Sequence, residues 1–416
     1  MFIVIINWCF SSFIAIFVKY FLIKLYKLKL LAKCFHGLED ILAKELEDLG
    51  ATNITKLKRA VSFDGNKELI YKANLWSRTA LRILQPLTTF RARNEDELYK
   101  QIKDYKWESY LNVDQTLAID AVTFSRFFKH SHYAGLKAKD AICDRFRDLT
   151  GERPSVDVDN PNLLINVHIA EDRVSISLDS SAEPLNRRGY RTKNHPAPIN
   201  ESLAAGMLLM AGYDGSRPFL DPMCGSGTIV IEAALIAANI APGLKRKSFG
   251  FMRWNNFDKE LWQKLLDEAK ESERYPQFNI GGSDISPRAI DIAKQTTLDY
   301  GIKQFIDFRI SAFKDAEKNG RNGLIVMNPP YDERLKSKDI INLYGEVGNK
   351  LKHTFTGWDV WVISANFDAL KSIGLRPEER NILFNGSLEC RFNKYNLFEG
   401  KRVEQLKRRN LNRRES

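Results

Sequence analysis

Leu38, Ile41, Leu42, Leu46 and Leu49 recur at helical spacing, and Gly50 stops the run. An apolar stretch from Leu30 precedes this helix and a further extended stretch follows it, so the pattern predicts strand, amphipathic helix, strand. A helical stretch at Glu68–Leu81 and an apolar run at Arg82–Leu87 complete a small α+β unit. A second unit follows, with a helix over Glu95–Ile102, a strand over Thr116–Phe124, a helix over Ala134–Leu149, and strands over Leu163–Ile169 and Arg173–Leu178. Within the last of these, Val174, Ile176 and Leu178 alternate as in a half-buried strand. From Asn200 onward strand and helix patterns alternate, the signature of an α/β fold with a parallel sheet covered on both faces.

The ends of the chain differ from this. Met1–Val18 is almost wholly apolar and uncharged, and Lys19, Lys24, Lys27 and Lys29 follow it. Its length is at the lower limit of a membrane span, about 17 residues. Two readings of residues 1–29 stand: an anchor with the lysines on the cytoplasmic side, or an extension outside the natural protein, translation beginning near Leu30. A secretory signal fits less well, because no basic segment precedes the apolar run. Residues 401–416 carry seven Lys or Arg against Glu404 and Glu415, a net charge of 7 − 2 = +5, and read as a basic tail.

Charge adds a partner class. With 63 Lys plus Arg against 52 Asp plus Glu, the 416-residue chain carries a net charge of +11, which favours a polyanion. The 44% hydrophobic and 28% charged composition excludes a mainly disordered or polytopic membrane chain. Cys9, Cys34, Cys143, Cys224 and Cys390 show no CxxC spacing, so no disulfide framework or metal site is expected, and a reducing cytoplasmic compartment fits. The polar segment 185–199, with two prolines, reads as an interdomain linker. Its Arg187, Arg188, Arg191 and Lys193 surround Tyr190, a mixture suited to phosphate contact and base stacking, although a merely solvated linker has the same composition.

The candidate chemistry lies in the C-terminal half. Asp221–Thr228 (DPMCGSGT) joins a strand to the apolar helix Ile229–Ile240, and Gly225 and Gly227 allow a ligand close to the backbone beside a helix N-terminus. Alone, this is a nucleotide-type site or a tight turn. A later strand at Phe278–Gly282 leads to Asp284, placed to accept ribose hydroxyls or to cap the next helix. Gly227 and Asp284 are 57 residues apart. The spacing of a dinucleotide site is about 20, so Ala241–Gln277 is an insertion. Finally, the strand LIVM ends in Asn328-Pro329-Pro330-Tyr331. The two prolines hold Asn328 out of helical conformation, so its amide oxygen and the Pro329 carbonyl are fixed acceptors for a planar amino group, over which Tyr331 can stack.

These segments resemble the class I S-adenosylmethionine-dependent RNA methyltransferases with an N-terminal THUMP domain, especially the branch that methylates guanine N2 in large-subunit (23S) ribosomal RNA. The resemblance rests on LNRRGYR (Leu185–Arg191), FLDPMCGSGTIVIEAALIA (Phe219–Ala237), APGL and FGFMRW (between Ala241 and Trp254), GSDISPRAIDIAKQ (Gly282–Gln295), NPPYDERL (Asn328–Leu335) and LYGEVGNKLK (Leu343–Lys352). It implies a ferredoxin-like domain over 30–92, a THUMP RNA-binding domain over 93–184, and a seven-stranded Rossmann-like methyltransferase domain over 200–400. That last domain would close with an antiparallel hairpin, for which Trp358–Ser364, Arg380–Phe384 and Cys390–Leu397 are the late strands.

The resemblance further implies S-adenosylmethionine as cofactor, held by Asp221, Gly225, Gly227 and Asp284 with Pro222, Cys224, Thr228 and Ile285 beside them. Asn328, Pro329, Pro330 and Tyr331 would receive the target base. The acid that such enzymes place after the next strand, against the adenine amino group, is missing, since Ser311 and Ala312 stand there with Asp315 the nearest carboxylate. Asp332 also replaces the glycine frequent after NPPY. The implied partner is ribosomal RNA or a pre-ribosomal particle. A transfer RNA guanine methyltransferase and a non-catalytic ribosome-assembly factor are the alternatives.

Overall fold

The computed structural model describes residues 27–191, 199–330 and 337–397. The apolar Met1–Val18 segment, the basic tail, Lys193, Tyr331 and Asp332 lie outside the described residues. Among the described residues no helix is long and apolar enough to cross a membrane.

The first unit runs β1 (Leu28–Lys33), α1 (Glu39–Asp48), β2 (Thr52–Leu57), β3 (Ala60–Gly65), α2 (Lys67–Trp76) and β4 (Arg82–Arg91). Leu42 and Leu46 bury the inner face of α1, and Gly50, at φ +96°, allows the turn out of it. Helix α2 is capped by Asn66, whose side chain accepts from the Leu69 amide, and it ends five residues short of the predicted Leu81 because Ser77 is already extended. The second unit comprises α3 (Glu95–Asp104), β5 (Thr116–Phe124), α4 (Ser131–Thr150), β6 (Ser155–Val156), β7 (Leu163–Ala170) and β8 (Arg173–Asp179).

The two units share one sheet. Its order is β2-β3-β1-β4-β8-β7-β5-β6, and β4 is the common strand: Arg82–Leu84 pair with β1, while Leu84–Arg91 pair with β8. Residues 30–92 and 93–184 are therefore joined by backbone hydrogen bonds.

The C-terminal half contains α5 (Glu201–Met210), β9 (Phe219–Asp221), α6 (Thr228–Ala237), α7 (Lys259–Glu271), β10 (Ile280–Asp284), α8 (Pro287–Tyr300), β11 (Ile306–Ile310), β12 (Leu324–Met327), α9 (Ser337–Thr354), β13 (Asp359–Ser364), α10 (Phe367–Ser372), β14 (Glu379–Asn385) and β15 (Leu388–Asn396). Strand order is β11-β10-β9-β12-β13-β15-β14, with β15 antiparallel to both its neighbours, as the resemblance implied. Chain order reverses at β9, which pairs with β10 on one side and β12 on the other. In an open parallel sheet the ligand crevice lies at such a point, beyond the carboxyl ends of the strands.

The insertion Ala241–Gln277 fastens the two halves together. Phe251 stacks on Tyr71 of α2 at 4.3 Å between ring centroids, and Trp262 of α7 meets Phe251 edge-on at 5.1 Å. The Asp258 amide donates to the Tyr71 hydroxyl, and Arg253 reaches the Pro161 carbonyl before β7. Phe249, Phe251 and Trp262 of the insertion are thus part of an interdomain core.

Candidate active site

A cavity of about 1280 Å³ opens at the carboxyl ends of β9, β10 and β12. Asp221, Pro222, Cys224, Gly225, Thr228, Asp284 and Ile285 line it, and so do Asn328, Pro329 and Pro330. Residues spread over more than a hundred positions of sequence thus meet in one cleft because each occupies a strand end or the turn after it.

The turn after β9 is held by the acid of β10. One Asp284 carboxylate oxygen accepts the Gly225 amide at 2.9 Å and the other accepts the Ser286 amide at 2.9 Å. Gly225 has φ +55°, and a Cβ there would meet no atom within 4 Å, so its backbone borders open space. Gly227 has a different role: it does not line the cleft, and a Cβ at its φ of +82° would lie 2.9 Å from the Phe308 ring. Its absent side chain lets α6 approach the sheet, while Thr228 and Ile229, in the first turn of α6, reach the cavity. Amides of a helix's first turn have no intrahelical acceptor and suit a carboxylate.

Asp221 is buried, and its carboxylate accepts the Met223 amide at 3.1 Å. Burial, with the Asp284 charge nearby, pushes its pKa up to about 8. Desolvation likewise raises the Cys224 thiol, which favours its protonated form.

At the end of β12 the Asn328 amide oxygen is buried without a hydrogen-bond partner among the described residues. An orphaned acceptor inside a cleft costs on the order of 1–3 kcal/mol and is a place where a ligand donor fits. Beyond β11, Ser311 and Ala312 line the cleft, with the Ser311 amide donating to the Asp284 carbonyl at 3.0 Å. Asp315 instead lines a neighbouring cavity of about 610 Å³.

The expectation that Arg188 and Tyr190 face RNA is corrected. Arg188 and Tyr190 are buried, only 2% and 6% exposed. Arg188 donates to the Leu185 carbonyl at 2.7 Å and to that of Arg78, and its Nε lies 3.5 Å from Glu232 of α6. The Tyr190 hydroxyl donates to the same Glu232 carboxylate at 2.8 Å. Arg191 pairs with Glu201 at 3.1 Å and donates to the Thr228 hydroxyl and the Ile199 carbonyl. Arg187 alone among the described linker cations is exposed, beside Glu183. An aromatic among arginines has the same composition whether it faces a nucleic acid or a buried glutamate, and here Glu232, unremarkable within an apolar helix sequence, decides for the latter.

Ile199, Asn385 and Leu388 also line the cleft and were not anticipated. The last two flank the turn between β14 and β15, where no motif marks them.

Residues 188–394 match the RMKL-like methyltransferase domain, 92–179 the THUMP domain and 29–84 the RlmL ferredoxin-like domain. The chain is 39% identical over 386 residues to the ribosomal RNA large subunit methyltransferase K/L of Syntrophotalea carbinolica, covering 89% of this chain and 54% of that protein. It is also 39% identical over 364 residues to the Synechocystis sp. protein named "Putative RNA methyltransferase slr0064", covering 87% of this chain and 95% of that one. The crystal structure of SMU.472 complexed with SAH superposes with a TM-score of 0.83 at 30% identity, covering 90% of this chain and all of that one. The chain spans about half the length of the K/L relatives it matches.

Proposed function

The chain belongs to the family of THUMP-bearing, RMKL-like methyltransferases, and on that premise we propose that it methylates the exocyclic N2 amine of a guanine in large-subunit ribosomal RNA, using S-adenosylmethionine. The observation that carries the reading is the buried Asn328 oxygen, without a partner among the described residues, in the same cleft as Asp221, Gly225 and Asp284.

The cleft fits the cofactor. Asp284 would accept from ribose hydroxyls while it holds the Gly225 turn, the open backbone at Gly225 and the first turn of α6 would take the methionine carboxylate, and Ile285, Ser311 and Ala312 would flank the adenine. When bound, S-adenosylmethionine supplies an electrophilic methyl group on a sulfonium. Asn328 and the Pro329 carbonyl accept the two N–H groups of the target amine, which fixes the direction of its nitrogen lone pair. Orientation of this kind is the main lever for an in-line displacement. Tyr331, adjacent in sequence, is assigned to stacking on the target base. That base has to leave its stack to reach the strand end, so a loop or unpaired segment is the substrate.

SAH bound to the SMU.472 relative and the large-subunit ribosomal RNA in the names of the K/L relatives support this reading. The test is incubation of the full chain with methyl-labelled S-adenosylmethionine and, separately, large ribosomal RNA, transfer RNA and ribosomal particles from cells lacking the enzyme, followed by nucleoside identification. N2-methylguanosine in ribosomal RNA is the expected product. Label in transfer RNA alone would replace the substrate, and the absence of label from both RNAs and from ribosomal particles would refute the reading.

A further inference from the structure

Among the described residues, the seven-stranded sheet is met by another element at one edge and by none at the other. On β14 the N-terminal unit closes: a Cβ on Gly37 would lie 2.7 Å from the Ile382 carbonyl, and the His36 ring is 5.7 Å from that of Phe384. The outer side of β11 pairs with no described strand. Its backbone polarity follows from one bond, the Ser311 amide donating to the Asp284 carbonyl of β10. The amide and carbonyl of a residue share one side of the strand, and successive residues alternate. Asp307 and Arg309 therefore face β10 with their backbones, while Ile306, Phe308 and Ile310 present theirs outward. Edge strands of this kind are templates for pairing with another chain unless they are blocked.

The residues of this edge are complementary to themselves. Ile306-Asp307-Phe308-Arg309-Ile310, laid antiparallel on a second copy with Phe308 at the centre, sets Ile306 opposite Ile310 and Asp307 opposite Arg309. The three outward residues then form hydrogen-bonded pairs, and the charges fall at the closer, non-hydrogen-bonded pairs. In the single chain Arg309 turns back on Asp307 at 2.6 Å, and both side chains stay more than half exposed. Helix α8, which lies over β10 and β11, repeats the pattern. A Cβ on Gly227 would be 2.9 Å from the Phe308 ring and 3.1 Å from the Ala293 Cβ, so the middle of α8 is level with the centre of β11. One flank of α8, with Ala289, Ile292 and Thr296, is half-buried; the other, with Pro287, Asp291, Lys294 and Leu298, is exposed. About a centre between Ile292 and Ala293, that exposed flank sets Asp291 opposite Lys294 and Pro287 opposite Leu298 of a second, antiparallel copy.

We propose that β11 is the contact through which two copies of this chain form a two-fold symmetric dimer, pairing antiparallel across Phe308 while α8 packs beside its counterpart. One axis serves both layers, as an isologous interface requires. Strands lie about 4.8 Å apart, so an axis beside β11 sets the two α8 helices on the order of 10 Å apart, a normal packing distance. An edge protected by charge would meet its copy with like charges in this register, and β11 and α8 each meet theirs with unlike ones. The paired strands run in opposite directions, so the two clefts open at opposite ends of the joined sheet. Each cleft is lined by its own chain, and the dimer does not depend on which substrate the clefts take.

The test is sedimentation velocity of the full chain over a concentration series. Wild type should sediment as a dimer of 47.8 kDa chains. Arg309→Asp leaves two acids facing two acids, and Asp307→Arg two arginines facing two, so each should raise the dissociation constant by roughly 10- to 100-fold. An equimolar mixture of these two variants should regain dimers containing one chain of each, which excludes misfolding as the cause of the loss. The double variant Asp307→Arg/Arg309→Asp should regain homodimers. Asp291→Arg reads the helix layer and should weaken the dimer by about 2- to 5-fold. A wild-type chain that stays monomeric throughout would overturn the proposal. So would a dimer that neither single charge variant weakens, since another surface would then hold it, and so would a mixture of the two variants that remains monomeric.

Discussion

Arg191 donates to the Thr228 hydroxyl at 2.6 Å, so a linker cation fixes the first turn of the helix that borders the candidate cofactor cleft. The same Nη2 holds the carbonyl of Ile199, another cleft residue, and Glu201 neutralises the charge. Arg191→Met should therefore weaken S-adenosylmethionine binding by roughly 10- to 100-fold, the range for losing a charged hydrogen bond, with RNA affinity changed less than about twofold. Arg191→Lys should recover part of the loss, because lysine keeps the Glu201 pair and loses the planar fork. Calorimetry with cofactor and a filter assay with RNA separate the two effects. The opposite pattern would return Arg191 to RNA contact.

Asp221 gives the cleft a pH dependence of defined sign. Its folded pKa of about 8 lies above the unfolded value near 3.9, so the fold binds the proton more tightly than the unfolded chain. Its contribution to stability is fully present below about pH 4 and is lost as pH rises toward 8, at no more than about 1.4 kcal/mol per pH unit. The cofactor's ammonium and sulfonium groups favour the carboxylate, so affinity should rise between pH 6.5 and 8.5 with proton release on binding. Asp221→Asn removes the proton and provides the control. Its ligand-free melting should depend less on pH than wild type, and its cofactor binding should be weak. Equal proton release by wild type and variant would exclude Asp221 as the source.

Sequence pattern was most informative where a single strand end dictates the chemistry. Gly225, Asp284 and Asn328 each sit at a turn whose backbone requirement is visible in the residues themselves, and the fold brings all three to one cleft. Pattern was least informative where a long-range partner decides. Arg188 and Tyr190 read as nucleic-acid contacts until Glu232, more than forty positions away, takes them into the interior. The insertion's aromatics wait on Tyr71 in the same way, and the joining of two N-terminal units depends on the register of β4, which no local periodicity reports.

The buried linker cluster should govern stability. Removing the Arg188 side chain leaves Glu232 with one partner fewer and strands the Arg78 carbonyl in the interior. Breaking a buried ion pair from one side costs about 3–5 kcal/mol, so Arg188→Met should shift the urea midpoint sharply downward. Tyr190→Phe should cost less, about 1.5–3 kcal/mol, for one hydrogen bond to a carboxylate. Neither change should alter the salt dependence of RNA binding by the folded fraction. A reduced salt slope with an unchanged urea midpoint would mean that these side chains meet phosphate in solution.

Substitution at Asn328 should separate catalysis from binding. Its amide oxygen is buried, without a hydrogen-bond partner among the described residues, and at the end of β12, whose four residues are all buried, so the side chain is carried by rigid sheet. Asn328→Ala removes the acceptor without touching the Asp284–Gly225 contact that shapes the cofactor side of the cleft. Losing one preorganised polar group from a reacting centre lowers turnover by about 10²–10³-fold. Cofactor affinity and RNA affinity should both stay within about threefold of wild type. Asn328→Asp is the sharper variant: it keeps an acceptor at the same position and adds a charge beside the Pro329 carbonyl, so it should retain more turnover than alanine if acceptance of the amine proton is the role. Single-turnover rates with saturating enzyme read the chemical step directly. Alanine and wild type with the same single-turnover rate would remove Asn328 from the reaction and leave its orphaned oxygen to another ligand.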